Sequence, residues 1–200
     1  MRMVLAVDGM AGIHLKTGNF AAADSLNDIN IAILKRKKDH YRLATVYAAK
    51  SQVNKDQGNF NIAFKYALEA LQLMSEFDKP VRRADILFQL AEIEQELGHI
   101  PDAIAYSREA LQIYRSHDDL MYQALLLGNL GDLLIIQGNY NEALDRLQES
   151  IVMAESAASP TVKAASLNST GSLYMIQERY VRAREVLDEA LDIASRTGDL

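Results

Sequence analysis

Four histidines, 27 carboxylates and no cysteine are the side chains from which any chemistry in this 200-residue chain must be built. A metal or acid-base centre needs two or more ligands that converge. His14, His40, His99 and His117 lie far apart, three of them at expected helix ends or joints. His117-Asp118-Asp119 comes nearest to a cluster, and turn chemistry accounts for it as a solvated joint. The chain shows no nucleophile elbow, phosphate loop or dinucleotide fingerprint. The expectation is no enzyme, no catalytic residue, no cofactor and no metal. Lys35-Arg36-Lys37-Lys38 is the one strong charge run. It reads as the cationic end of a helix, complementing the macrodipole, rather than as a phosphate or nuclear signal. A net charge of −6 argues against a nucleic-acid partner, which leaves a broad basic footprint.

The elements that would position a site follow from a period. Alanine stands at 23, 63, 103, 143 and 183, one every 40 residues. Five residues earlier come Gly18, Gly58, Gly98 and Gly138, with Glu178 breaking the series. Three earlier come Phe20, Phe60, Ile100, Tyr140 and Tyr180. Twelve earlier stand Ala11, Ser51, Ala91, Gly131 and Gly171, and nineteen earlier Val4, Ala44, Ala84, Ala124 and Ala164. Columns sharing one phase at a period of 20–50 residues are the signature of a solenoid. Each unit reads as two helices. Ala84, Leu87, Leu90, Ala91 and Leu97 recur at threes and fours, and Gly98 then stops the helix. Pro101 suits the first turn of the next helix, and Asn19, Asn59 and Asn139 suit N-caps. Breaker-rich joints recur at Lys38-Asp39-His40, Asp78-Lys79-Pro80, His117-Asp118-Asp119, Ser159-Pro160 and Thr197-Gly198-Asp199. The small columns allow close helix approach, and the aromatic column is expected to fill the wider gap beside it.

In these residues the chain resembles the tetratricopeptide repeat (TPR) family. The likeness is carried by Leu127, Leu130-Gly131, Gly138-Asn139-Tyr140 and Ala143, and again by Gly171, Tyr174, Tyr180, Ala183 and Ala190-Leu191. Tryptophan is absent, the late proline is missing, and the period of 40 is similar to the longer-helix variety of signalling scaffolds and bacterial regulators. The resemblance implies an all-α solenoid, an α-α superhelix of five tandem helix-turn-helix repeats. Their approximate limits are 1–40, 41–80, 81–120, 121–160 and 161–200, in a single array cut from a larger protein. Uncapped terminal repeats would make a homo-oligomer through such residues as Leu187, Leu191 and Ile193. Met1 to Val7 is too short for a signal peptide, and Leu125 to Ile136 is short of a bilayer span. A cytoplasmic protein with no membrane partner is expected.

What the resemblance implies for function is a protein or peptide partner held in an inner groove lined by the first helix of each repeat. Transferred by register, that face carries Gln52 and Lys55, then Asp85, Phe88, Gln89, Glu92 and Glu96, then Asn129 and Asp132, then Asn168 and Ser172. Asp8, Gly12, Leu15, Ala48, Asp56, Gln95, Leu125, Gly128, Ile136, Ser169, Met175 and Ile176 share the register, with Leu125 and Ile136 equally readable as core. Family members that clamp a C-terminal carboxylate place lysines, arginines and asparagines there. Here Asp85, Glu92 and Asp132 occupy the place, so the fitting partner offers basic side chains with apolar anchors, unless the acids are only a solvated face. A stand-alone, self-associating adaptor is the alternative function, and an undetected enzyme or an RNA-binding repeat protein ranks after it.

Overall fold

The computed structural model describes residues 2–198. Ten α-helices run among them: α1 (Arg2–Lys16), α2 (Phe20–Lys37), α3 (His40–Asp56), α4 (Phe60–Met74), α5 (Pro80–Glu96), α6 (Ile100–Ser116), α7 (Leu120–Gln137), α8 (Tyr140–Ser156), α9 (Pro160–Ile176) and α10 (Tyr180–Thr197). No strand occurs among the described residues. The side chains of Val4 and Asp8, with Asp199 and Leu200, lie outside them. Two compact units result, Met1–His99 with α1 to α5 and Ile100–Leu200 with α6 to α10. Within each unit, helices adjacent in sequence pack together. First helices of successive repeats also meet, α3 with α5 and α7 with α9.

The turn within each repeat explains the glycine column. In the first, the Gly18 amide donates to the Leu15 carbonyl at 3.1 Å and the Asn19 amide reaches back to that of His14 at 2.8 Å. This is a Schellman closure, which requires a left-handed residue, and Gly18 adopts φ +73°. Asn19 then serves twice, because its side chain also accepts from the Ala22 amide and caps α2. Asn59 and Asn139 hold the same N-cap positions but make no such bond. Their side-chain amides donate instead to Gln57 at 3.3 Å and Gln137 at 2.7 Å. Asparagine at these two positions therefore ties the turn to itself rather than capping the helix that follows.

Glu178 enters the same left-handed geometry with φ +59°. A side chain there costs about 1 kcal/mol that glycine avoids. Glu178→Gly is therefore expected to raise unfolding stability by about 1 kcal/mol in urea denaturation. A loss of stability would show that Glu178 does something other than strain the turn.

The alanine register is a packing register. Ala23, Ala63, Ala103, Ala143 and Ala183 are all within 1% of complete burial. Ser51, in the small column, uses its buried hydroxyl to donate to the Ala63 carbonyl at 2.8 Å, joining two columns directly. The aromatic column does not fill an interior gap. Phe20, Phe60 and Ile100 are half-buried, while Tyr140 and Tyr180 are exposed, since each begins a helix at the rim of a turn. On α10, Val181 is 75% and Leu191 59% exposed, with Leu187 and Ile193 half-buried.

α7 is longer than its apolar stretch suggested. Its 18 residues are enough, by length and composition, to cross a membrane. Leu126, Leu127, Leu130, Leu133 and Leu134 are nevertheless buried within unit 2, where α7 packs on α6, α8 and α9.

Candidate binding surface on the first helices

In unit 1 the register positions of α3 and α5 form a bonded ladder. Residues three and four apart share one helix face, so Ala48, Gln52 and Lys55 make a stripe on α3 facing Asp85, Gln89, Glu92 and Glu96 on α5. Gln89 Nε2 donates to the Ala48 carbonyl at 3.1 Å and to Gln52 Oε1 at 3.2 Å. Gln52 Nε2 donates to Asp56 at 2.6 Å. Lys55 Nζ reaches Glu92 at 2.6 Å, and Arg82 lies 3.4 Å from Asp85. Phe88 is half-buried and Glu96 exposed. Glu92 is thus occupied by Lys55, and open negative charge on this stretch lies chiefly at Asp56 and Glu96. Four carboxylates still face two cations, so the stretch is acidic.

Next to this ladder, α1 and α3, with Asn27 of α2, enclose a mainly apolar notch of ≈ 250 Å³. Ala11, Gly12 and Leu15 line one wall, and Thr45, Val46, Ala49 and Val53 line the other. The small residues of α1 keep the wall low enough for the notch to exist. Ala49 is exposed at its mouth.

Unit 2 presents α7 and α9 in the same register. Asn129 and Asp132 are half-buried, while Asn168 and Ser172 are exposed. Ser172 Oγ donates to the Asn168 carbonyl at 3.1 Å, within its own helix. Asp132 meets Ser169 across the two helices. Burial holds the Asp132 carboxyl above the ordinary carboxylate range, and the Ser169 hydrogen bond only partly offsets this. The two isoleucines one period apart, Ile136 and Ile176, are 59% and 51% exposed, as is Met175 at 51%. Leu125 is different, because it packs against the buried Ala124, Ala154 and Val162 and belongs to the core. Of the two residues with an open reading, Ile136 is surface and Leu125 is not.

The Asp132 shift has a sign that can be tested. A carboxyl that ionises less readily when folded subtracts stability once pH exceeds its folded value, and subtracts nothing below the ordinary value of about 3.9. Stability therefore falls through that interval as pH rises. Asp132→Asn, which keeps the shape and a partner for Ser169, should be more stable than wild type at neutral pH. The difference should vanish in acid, as followed by thermal melts across pH. Equal stability of the two proteins at neutral pH would mean that the site hydrates Asp132 fully.

Two features went unread in the sequence. Lys50 is 5% exposed on α3, where successive repeats carry Leu90 and Leu130, and it pairs with Asp28 at 2.6 Å and Asp24 at 3.0 Å from α2. A lysine standing in a leucine column was the available signal. The other is an arginine cluster on α6 and α8, far from any charge run in sequence.

Comparison with known proteins places the chain in a family. No curated protein matches the chain by sequence. Among solved structures, the apo form of RapI superposes at TM-score 0.91 with 17% identity, over 98% of this chain and 72% of that one. BtubC from P. vanneervenii matches at TM-score 0.85 and 20% identity, over 97% and 80%. A Rap protein complexed with Competence and Sporulation Factor matches at 0.80 and 18%, over 96% and 54%. At these identities the likeness is one of fold, an all-α solenoid of helix-turn-helix repeats. The tetratricopeptide repeat model matches residues 52–116 and 82–156, together more than half of the sequence, and the chain belongs to the tetratricopeptide repeat family.

Proposed function

We propose that the chain is a recognition module, the TPR region of a signalling or regulatory protein, which holds a partner's peptide segment on its first-helix faces. The observation that carries this reading is the adjacency, within unit 1, of an apolar notch and an acidic ladder. A segment with one aliphatic side chain and neighbouring lysines or arginines fits both. The notch takes the anchor, and Asp56 and Glu96 meet the cations. The similar fold of a Rap protein complexed with Competence and Sporulation Factor supports the reading by analogy.

Selection from a displayed peptide library tests it. Enriched sequences should combine basic and aliphatic residues, and binding should weaken with salt, because exposed charges are screened over about 8 Å at physiological ionic strength. Ala49→Arg, which fills the mouth of the notch without touching the core, should reduce binding of the selected peptides at least about tenfold, as loss of a buried apolar anchor predicts. Enrichment of peptides lacking basic residues, or full binding by the Ala49→Arg protein, would contradict it.

A further inference from the structure

Unit 2 carries a second cleft, flanked by its second helices α6 and α8 and floored in part by α7. It measures ≈ 350 Å³ and lies over α7 between α6 and α8. Leu111, Leu130 and Leu134 form an apolar floor, and Arg108, Arg115 and Arg146 stand around it. Two glutamates already share these cations. Arg108 donates to Glu142 at 2.9 Å and Arg146 Nη1 to Glu149 at 2.7 Å, while Arg115 takes the other oxygen of Glu149.

An inter-repeat staple does not explain all of this. Three guanidinium groups against two carboxylates leave one positive charge in excess, in a chain whose net charge is −6. Both oxygens of Glu149 are occupied, and Arg146 Nε is enclosed with no hydrogen-bond partner. An enclosed donor left unmade costs roughly 1–3 kcal/mol, which a purely structural residue would avoid. Nor does the repeat demand arginine at this place. The equivalent positions one period apart hold Leu26, Tyr66, Tyr106 and Val186.

We propose that this cleft binds an acidic peptide segment of a partner protein, placing an aspartate or glutamate carboxylate on Arg146 and a neighbouring aliphatic side chain on the leucine floor. The excess of one charge matches a carboxylate. A phosphate dianion would overfill it, and would meet Glu142 and Glu149 at close range. The entering carboxylate draws the Arg146 guanidinium round so that Nε and Nη2 donate side by side, the two-pronged geometry that arginine offers. This site uses other residues and the opposite sign of charge from the notch and ladder, so either can fail without the other.

The test uses the full chain and an acetylated, amidated pentapeptide with one central glutamate flanked by leucines. Titration should move the Arg146 Nε–Hε resonance to saturation, and the same peptide with glutamine in place of glutamate should leave it still. Arg146→Gln should weaken binding about tenfold, the loss expected when a charge-assisted hydrogen bond is removed. An unmoved resonance, equal effects from the glutamine peptide, or undiminished binding by the Arg146→Gln protein would each overturn the proposal. Tighter binding of a phosphoserine peptide than of the glutamate peptide would overturn the choice of a carboxylate.

Discussion

Replacing Lys50 with alanine is expected to destabilise the chain by about 3 kcal/mol, the lower end of the range for breaking a buried ion pair. The lower end applies because Asp24 and Asp28, at 33% and 60% side-chain exposure, can turn to water once the lysine is gone. The ammonium group also lies 5.2 Å from the centre of the Tyr66 ring, and Asn54 braces Asp24 at 3.2 Å. Lys50→Leu restores the residue that Leu90 and Leu130 supply in later repeats, so it should lose far less than alanine. Combined with Asp24→Ala and Asp28→Ala it should approach wild-type stability, since well-packed apolar replacements of buried ion pairs are often neutral. Urea denaturation of the series checks the ordering. Alanine and leucine variants of equal stability would mean that the lysine's packing contributes nothing.

The same residue has a pH signature. Burial pulls the Lys50 ammonium toward deprotonation, but Asp28 and Asp24 outweigh it, so its pKa lies above the ordinary lysine value. Its contribution is complete below that ordinary value of about 10.4 and is lost as pH rises through the higher folded one. The gap between wild type and Lys50→Leu should close only in strong alkali. Functionally, the pair fixes α3 against α2, and α3 forms one wall of the notch.

The second large effect belongs to Gly131. A methyl group there would sit 2.5 Å from Cγ and 2.6 Å from Cδ2 of Leu147, a fully buried side chain. Alanine in a helix interior gains about 0.8–1 kcal/mol over glycine, whereas overpacking costs up to about 3 kcal/mol, so Gly131→Ala should lose about 2 kcal/mol. Leu147→Ala opens the missing space and on its own should cost about 3 kcal/mol. The double variant should lose clearly less than the sum of the two, because the residues share one volume. Strict additivity would place Gly131 and Leu147 out of contact.

These two sites mark what sequence could and could not disclose. Gly131 was legible, because a small residue recurring in phase with Ala143 reports close helix approach wherever it stands. The ten helices, their turns and the burial of the alanine column followed from the same periodicity. The first-helix stripe was legible as a register but not as a network. That Lys55 reaches Glu92, or that Gln89 reaches across to the Ala48 carbonyl, depends on rotamers and helix separation that a period does not encode. Lys50 and Asp24 lie 26 residues apart on different helices, and Arg115, Arg146 and Glu149 meet only when α6 and α8 flank α7. Edge positions were the least legible: Leu125 and Ile136 look alike in a helical stripe, and only packing separates core from surface.

The central claim is that partner peptides dock on the notch and ladder of unit 1, and amide NMR with a selected basic-aliphatic peptide tests it most directly. Resonances of Gly12, Leu15, Ala49, Gln52 and Asp56 should shift together and saturate at one concentration, and the Ala49→Arg protein should show none of these shifts. Saturable binding that leaves those five residues unmoved would contradict the account.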